Sequence, residues 1–250
     1  MPHRKTILIT GASSGLGMGM ARRFAAMGRD LALCARRLDK LEALKNELEQ
    51  AHPTITVAIR PLDVNDYEQV FDVFRAFKAE LGRLDRIIVN AGIGKGQPLG
   101  TGHFHANRQT AETNFVAALA QCEAAMEIFR EQNSGHLVVV SSMSALRGLR
   151  KNINTYSATK AGVAALAEGL RMEMLGKPIK VSTIYPGYIR TDINAQVKNA
   201  PFIVDLETGC RQLVEAIEKE PAKAYVPRWP WAPIGFAMKV LPLSVVKRMT

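Results

Sequence analysis

The chain is poor in cysteine. Cys34, Cys122 and Cys210 stand far apart, with no CxxC spacing and no Cys/His cluster. That excludes a self-contained disulfide framework and a structural zinc site, and it favours a reducing, cytoplasmic setting. Aromatic residues are also scarce, at 6%, and no basic run is long. The excess of 33 Lys and Arg over 23 Asp and Glu therefore does not read as a nucleic-acid surface. A net charge of +10 also suits a membrane surface or an anionic cofactor. No apolar run approaches the roughly 18 residues that a membrane span requires. The basic start of the chain leads into a short strand pattern and glycines, not into a cleavable apolar stretch, so no signal peptide is expected. His103 and His105 form an HxH pair without an obvious third ligand nearby, and no metal is expected. Apolar residues, by contrast, make up 47% of the 250 positions, which is enough to bury a full core and excludes wholesale disorder.

Short β-branched runs alternate with longer segments of helical period. The predicted strands are Thr6–Thr10, Leu31–Ala35, Thr54–Ile59, Arg86–Val89, Leu137–Val140, Lys180–Tyr185 and Ala224–Val226. Most are nearly continuous in apolar residues, as strands are when helices cover both faces of a sheet. Tyr67, Val70, Phe71, Phe74, Phe77 and Leu81 mark one buried helical stripe. Ala111, Asn114, Phe115, Ala118, Cys122, Ala125, Met126 and Phe129 mark another, and a third runs from about Thr155 to Leu175. The alternation predicts an α/β fold, a doubly wound parallel sheet of about seven strands with helices on both faces. With no internal repeat and no long Ser/Gly linker, residues 1–226 read as one domain. Residues 91–106, with five glycines, read as a long loop, and residues 227–250 as a Pro/Trp-rich apolar tail. In that tail Trp229, Trp231, Phe236, Met238, Val240 and Leu241 are interspersed with basic residues. They are expected to line a substrate entrance or pack on another subunit, with an anionic membrane as the less favoured alternative.

Thr10-Gly-Ala-Ser-Ser-Gly-Leu-Gly17 follows the first strand and opens the first helix. Gly11, Gly15 and Gly17 let the backbone turn sharply and approach a pyrophosphate, while the helix start aims free N–H groups at that anion. Ser13, Ser14 and Leu16 belong to the same cradle. No Gly-Lys-Ser/Thr follows, which excludes a Walker P-loop. The second strand runs into Arg36-Arg37, where an NAD-selecting site would carry a carboxylate for the ribose 2′-OH. A guanidinium there pairs with a 2′-phosphate and can stack on adenine, so NADP(H) is the expected cofactor, with Arg36 the better placed of the two. Tyr156 and Lys160 lie four apart, on one face of a helix. An ammonium beside a phenol favours the phenolate and makes the hydroxyl a better proton carrier near pH 7. Asn114 interrupts an apolar stripe, and a buried amide there requires hydrogen-bond partners.

The threonine followed by glycines at 11, 15 and 17, together with Tyr156-Ser-Ala-Thr-Lys160, resembles the short-chain dehydrogenase/reductase family over nearly the whole chain to about residue 192. The resemblance implies a Rossmann-type fold, carbonyl–alcohol oxidoreduction of a small molecule, and assembly as a homodimer or homotetramer; the alternatives are a non-catalytic, redox-sensing NADP-binding module and a membrane-peripheral lipid-type ketoreductase. It implies that Tyr156 exchanges a proton with the substrate oxygen, that Lys160 binds the nicotinamide ribose, and that Asn114 orders a proton-relay water. Asp63-Val64 resembles the family's adenine contact, and Asn90-Ala91-Gly92 its element lining the adenosine ribose. Pro186–Thr191 resembles the segment in which the backbone of Ile189 faces the carboxamide and the Thr191 hydroxyl bonds the cofactor. Ser142 resembles the donor to the substrate oxygen, but stands fourteen residues before Tyr156, one more than is usual in the family.

Overall fold

A computed structural model describes residues 4–191 and 200–249. Its strands are β1 (Thr6–Thr10), β2 (Asp30–Ala35), β3 (Val57–Pro61), β4 (Arg86–Val89), β5 (Gly135–Val140), β6 (Ile179–Pro186) and β7 (Lys223–Val226). All pair in parallel, in the order β3-β2-β1-β4-β5-β6-β7. The helices are α1 (Gly15–Ala26), α2 (Leu38–Ala51), α3 (Tyr67–Leu81), α4 (Phe104–Ala111), α5 (Ala117–Gln132), α6 (Asn154–Glu173), α7 (Leu206–Glu218), α8 (Arg228–Val240) and α9 (Leu243–Met249). Side chains alternate along each buried strand. Ile7 and Ile9 of β1 join a core with α1, α2 and α7, while Leu8 joins the core with α3, α5 and α6. This is the Rossmann-type sandwich. Its winding reverses between β1 and β4, which opens a crevice at the carboxyl ends of the strands.

Four local expectations need correction. β3 begins at Val57 because the preceding residues turn, with the Ile55 amide donating to the His52 carbonyl and the Thr56 amide to the Asp30 carboxylate. α4 begins at Phe104, inside the segment read as a loop. Between α4 and α5 the chain makes a π-helical turn over Glu112–Val116. The extra residue of that turn breaks the simple stripe, so Asn114 is buried whereas Phe115 is exposed at the surface. Tyr67, at the start of α3, is likewise exposed, while Val70, Phe74 and Phe77 form the buried face.

The amino end of the sheet holds a buried ionic network. Arg86, 1% exposed, pairs with Glu218 and donates from Nε to His136 Nδ1 at 2.9 Å. Arg29 also pairs with Glu218, and Arg4 with Glu220 at 2.7 Å. Because His136 Nδ1 accepts, its proton sits on Nε2 and is donated to Ser182 Oγ at 2.8 Å, which donates in turn to the Pro221 carbonyl. Burial, and then the Arg86 and Arg4 charges, hold His136 well below the ordinary imidazole range.

Candidate active site

At the opposite end, a cleft of about 470 Å³ opens at the carboxyl ends of the strands. Gly11, Ser13, Ser14, Gly15, Leu16, Arg36, Arg37, Asp63, Val64, Asn90, Ala91, Gly92, Ser142, Tyr156, Lys160, Ile189 and Thr191 all line it. Of the residues expected at the site, only Gly17 and Asn114 lie behind this wall. Gly17 packs so tightly that a Cβ on it would fall 2.4 Å from the Gly11 carbonyl oxygen. Gly11 and Gly15 have φ of +66° and +55°, the left-handed region that a tight turn demands of glycine. Thr10 ties this loop to the end of β4, since its Oγ1 accepts from the Asn90 and Ala91 amides at 3.0 and 3.1 Å. Thr191 abuts the loop from the other side, its Cγ2 3.6 Å from where a Cβ on Gly15 would stand. The cradle therefore fits a dinucleotide, with close-approach backbone and the amino end of α1 turned toward it.

Arg37 donates to the Ser13 hydroxyl at 3.0 Å and to Ser14 at 2.7 Å, so a guanidinium and two hydroxyls converge on one rim of the cleft beside the exposed Arg36. Asp63 accepts from both the amide and the side chain of Asn65, a turn that holds its carboxylate at the rim.

The acid–base groups come together at the junction of β5 and α6. The Ser142 and Tyr156 hydroxyls come together despite the longer spacing, because the 3₁₀ turns Met143–Leu146 and Lys151–Ile153 take up the additional residue. Ser142 Oγ also accepts from the Ser144 hydroxyl at 3.0 Å. Lys160 Nζ donates to the Val140 carbonyl at 3.0 Å and lies 5.9 Å from the Tyr156 ring centre. Burial pushes Lys160 down to about 8. Burial also raises Tyr156; the neighbouring Ser142 hydroxyl pulls against it, and the nearby Tyr188 adds to the rise. Asn114 bonds both sides of the Ile93 peptide, Oδ1 accepting from its amide and Nδ2 donating to its carbonyl, each at 2.8 Å. A Cβ on Gly92 would stand 3.1 Å from Asn114 Oδ1 and 3.5 Å from Lys160 Nζ, so glycine there keeps the two close.

Several neighbours escaped the sequence. Ser141 Oγ donates to the Lys160 carbonyl at 2.7 Å, pinning α6 to the end of β5, and the Ser141-Ser142 pair was the only hint of it. Tyr188 and Phe202 stack edge-on against Trp231, whose indole lies against Gly187, where a Cβ would come within 2.2 Å. Met143, Tyr185 and Trp231 form a small third core beside Ser142. The inner side of the tail thus adjoins the site, and Arg147 fastens it by donating to the Lys239 and Leu241 carbonyls at 3.0 and 3.2 Å. Residues 193–199 of the expected substrate wall lie outside the described residues. His103 and His105 touch edge-on, and no cluster of metal-ligating side chains exists among the described residues.

A phosphate cradle at the switch point, with a hydroxyl pair and a buried amine at its far end, defines a dinucleotide-dependent oxidoreductase class, and the comparisons agree. The profile of the family described as short chain dehydrogenase matches residues 5–201, and the chain belongs to that family. An uncharacterised oxidoreductase of Mycobacterium tuberculosis (strain ATCC 25618 / H37Rv) is 53% identical over 245 residues, spanning 98% of this chain and 97% of that protein. Among solved structures, an alcohol dehydrogenase from Thermococcus sibiricus complexed with 5-hydroxy-NADP superimposes with a TM-score of 0.78 at 24% identity, covering 88% of this chain and 95% of that one. A short-chain dehydrogenase/reductase from Burkholderia phymatum in complex with NAD reaches 0.83 at 20% identity, covering 98% and 95%. These two show the shared fold.

Proposed function

We propose that the protein is an NADP(H)-dependent oxidoreductase that interconverts a small-molecule carbonyl and a secondary alcohol. The observation that carries this reading is the Ser142–Tyr156 hydroxyl pair beside the buried Lys160 amine, at one end of a glycine-walled cleft whose other rim carries Arg36 and Arg37. When bound, the cofactor supplies or accepts the hydride. Arg36 and Arg37, with Ser13 and Ser14, hold its 2′-phosphate through charge-assisted hydrogen bonds. Asp63 and Val64 contact the adenine, Asn90, Ala91 and Gly92 the ribose, and Ile189 and Thr191 the carboxamide side. Ser142 donates to the substrate oxygen. Tyr156 Oη gives that oxygen a proton in reduction and takes it in oxidation. Lys160 holds the nicotinamide ribose hydroxyls, and its ammonium offsets the burial that raises Tyr156. Asn114 steadies the Ile93 peptide and orders the water that returns the proton. The three buried, unpaired thiols suit a reducing compartment such as the cytoplasm, and a homodimer or homotetramer is the assembly proposed from the family.

The test is cofactor oxidation with a panel of ketones, aldehydes and quinones, comparing NADPH with NADH. NADPH should be preferred, and Tyr156→Phe should lower kcat about 10²- to 10⁴-fold while NADPH still binds. An active Tyr156→Phe enzyme would overturn the mechanism. Equal use of NADH would overturn the cofactor reading.

A further inference from the structure

We infer that the outer face of α8 and the start of α9 is a docking surface for an anionic lipid bilayer. On a helix that packs on a core, the outward side is ordinarily polar. Here the inward side of α8 carries Trp231, Gly235 and Met238 against Met143 and Leu146, yet the outward side is apolar as well. Trp229 is 78% exposed, Phe236 70%, Val240 60%, and Leu243 at the start of α9 67%. Phe236 and Val240 are four apart and share one face of α8. Trp229 stands at a kink where the backbone leaves helical geometry, before the regular part of α8. Large exposed apolar side chains this close along the chain mark an interaction site.

Charge selects the occupant. After Glu220 the chain has no acidic residue, while Lys223, Arg228, Lys239, Lys247 and Arg248 are all basic. Arg228, Lys239, Lys247 and Arg248 are exposed among the apolar residues. Tryptophan and phenylalanine flanked by lysine and arginine match the level of a bilayer where acyl chains meet headgroups, the rings entering the apolar edge and the cations pairing with phosphates. No helix among the described residues is long and apolar enough to cross a membrane, so the contact is peripheral. The inner side of α8 touches Met143, next to Ser142, so the docking helix adjoins the Ser142 end of the cleft.

The test is co-sedimentation of the full chain with vesicles of phosphatidylcholine mixed with phosphatidylglycerol, against pure phosphatidylcholine. Binding should favour the anionic vesicles at least about tenfold and weaken with added salt. Replacing the outer residues together (Trp229→Ser, Phe236→Ser, Leu243→Ser) should abolish it. Lys239→Glu with Lys247→Glu and Arg248→Glu should remove the anionic preference without touching the apolar face, and it serves if the first variant does not fold. In the wild type, Trp229 emission should shift to the blue on vesicles, since Trp231 is already buried. Absence of sedimentation, or unchanged sedimentation by the charge-reversed variant, would sink the proposal. So would light scattering in which the serine variant falls from an oligomer to a smaller species, because the face would then join copies of the chain. None of these readouts depends on turnover, so they stand or fall apart from the proposed activity.

Discussion

Lys160 is an amine buried against the Val140 carbonyl, and its proton is held more weakly in the folded protein than in the unfolded chain. Below about 8 both states carry that proton and the cost of burying the charge is present in full; from there to the ordinary 10.5 only the unfolded chain carries it. Stability gained through this one group therefore rises with pH across that window. Denaturant unfolding of the wild type and Lys160→Met at about pH 7.5 and about pH 9.5 should show the wild type gaining on the variant as pH rises. A constant difference would mean that the amine is not buried as a cation. That Tyr156, Lys160 and Ser142 would line one cleft was legible because helical spacing and a strand end constrain them. Their electrostatics were not: the sequence places an amine near a phenol but says nothing of the desolvation that raises Tyr156, nor of Tyr188 beside it.

The elements themselves were easier to read than their joints. Strands covered on both faces appear as nearly unbroken apolar runs, and this located the seven strands of the described residues, with β3 expected three residues too early. The π-helical turn at Glu112–Val116 left no trace in a pattern of threes and fours, so Phe115 was assigned to the core that Asn114 enters without it. The close approach of Gly187 to Trp231 was equally hidden, because the two elements that meet there are far apart along the chain. The Gly187→Ala variant puts a methyl 2.2 Å from the indole, and the ring must move. Overpacking of this kind costs about 1–3 kcal/mol. The variant should melt lower and its tryptophan emission should shift to the red as Trp231 loosens; an unchanged spectrum would show that the ring has room to yield.

Across the whole molecule, the cleft and the buried ionic network occupy opposite ends of one sheet. The network of Arg86, His136, Glu218 and Glu220 joins β4 and β5 to the end of α7 and the turn beyond, partners separated by 50 to 132 residues in hydrogen bonds that no local pattern announces. His136 stays neutral there, so below its ordinary value of 6.5 the unfolded chain takes up a proton that the folded one refuses. Stability should fall as pH drops through that value, and His136→Gln should flatten the fall; urea midpoints between about pH 7.5 and about pH 5 measure it. A slope untouched by the substitution would assign the acid sensitivity elsewhere.

The Arg147 fastening bears on how the enzyme is handled. Its guanidinium, only five positions after Ser142, grips the carbonyls of Lys239 and Leu241, so a disturbance of the chain behind α8 reaches the stretch that carries Ser142. An affinity tag placed ahead of Arg4, which sits at the far side of the sheet with Glu220, leaves that stretch undisturbed.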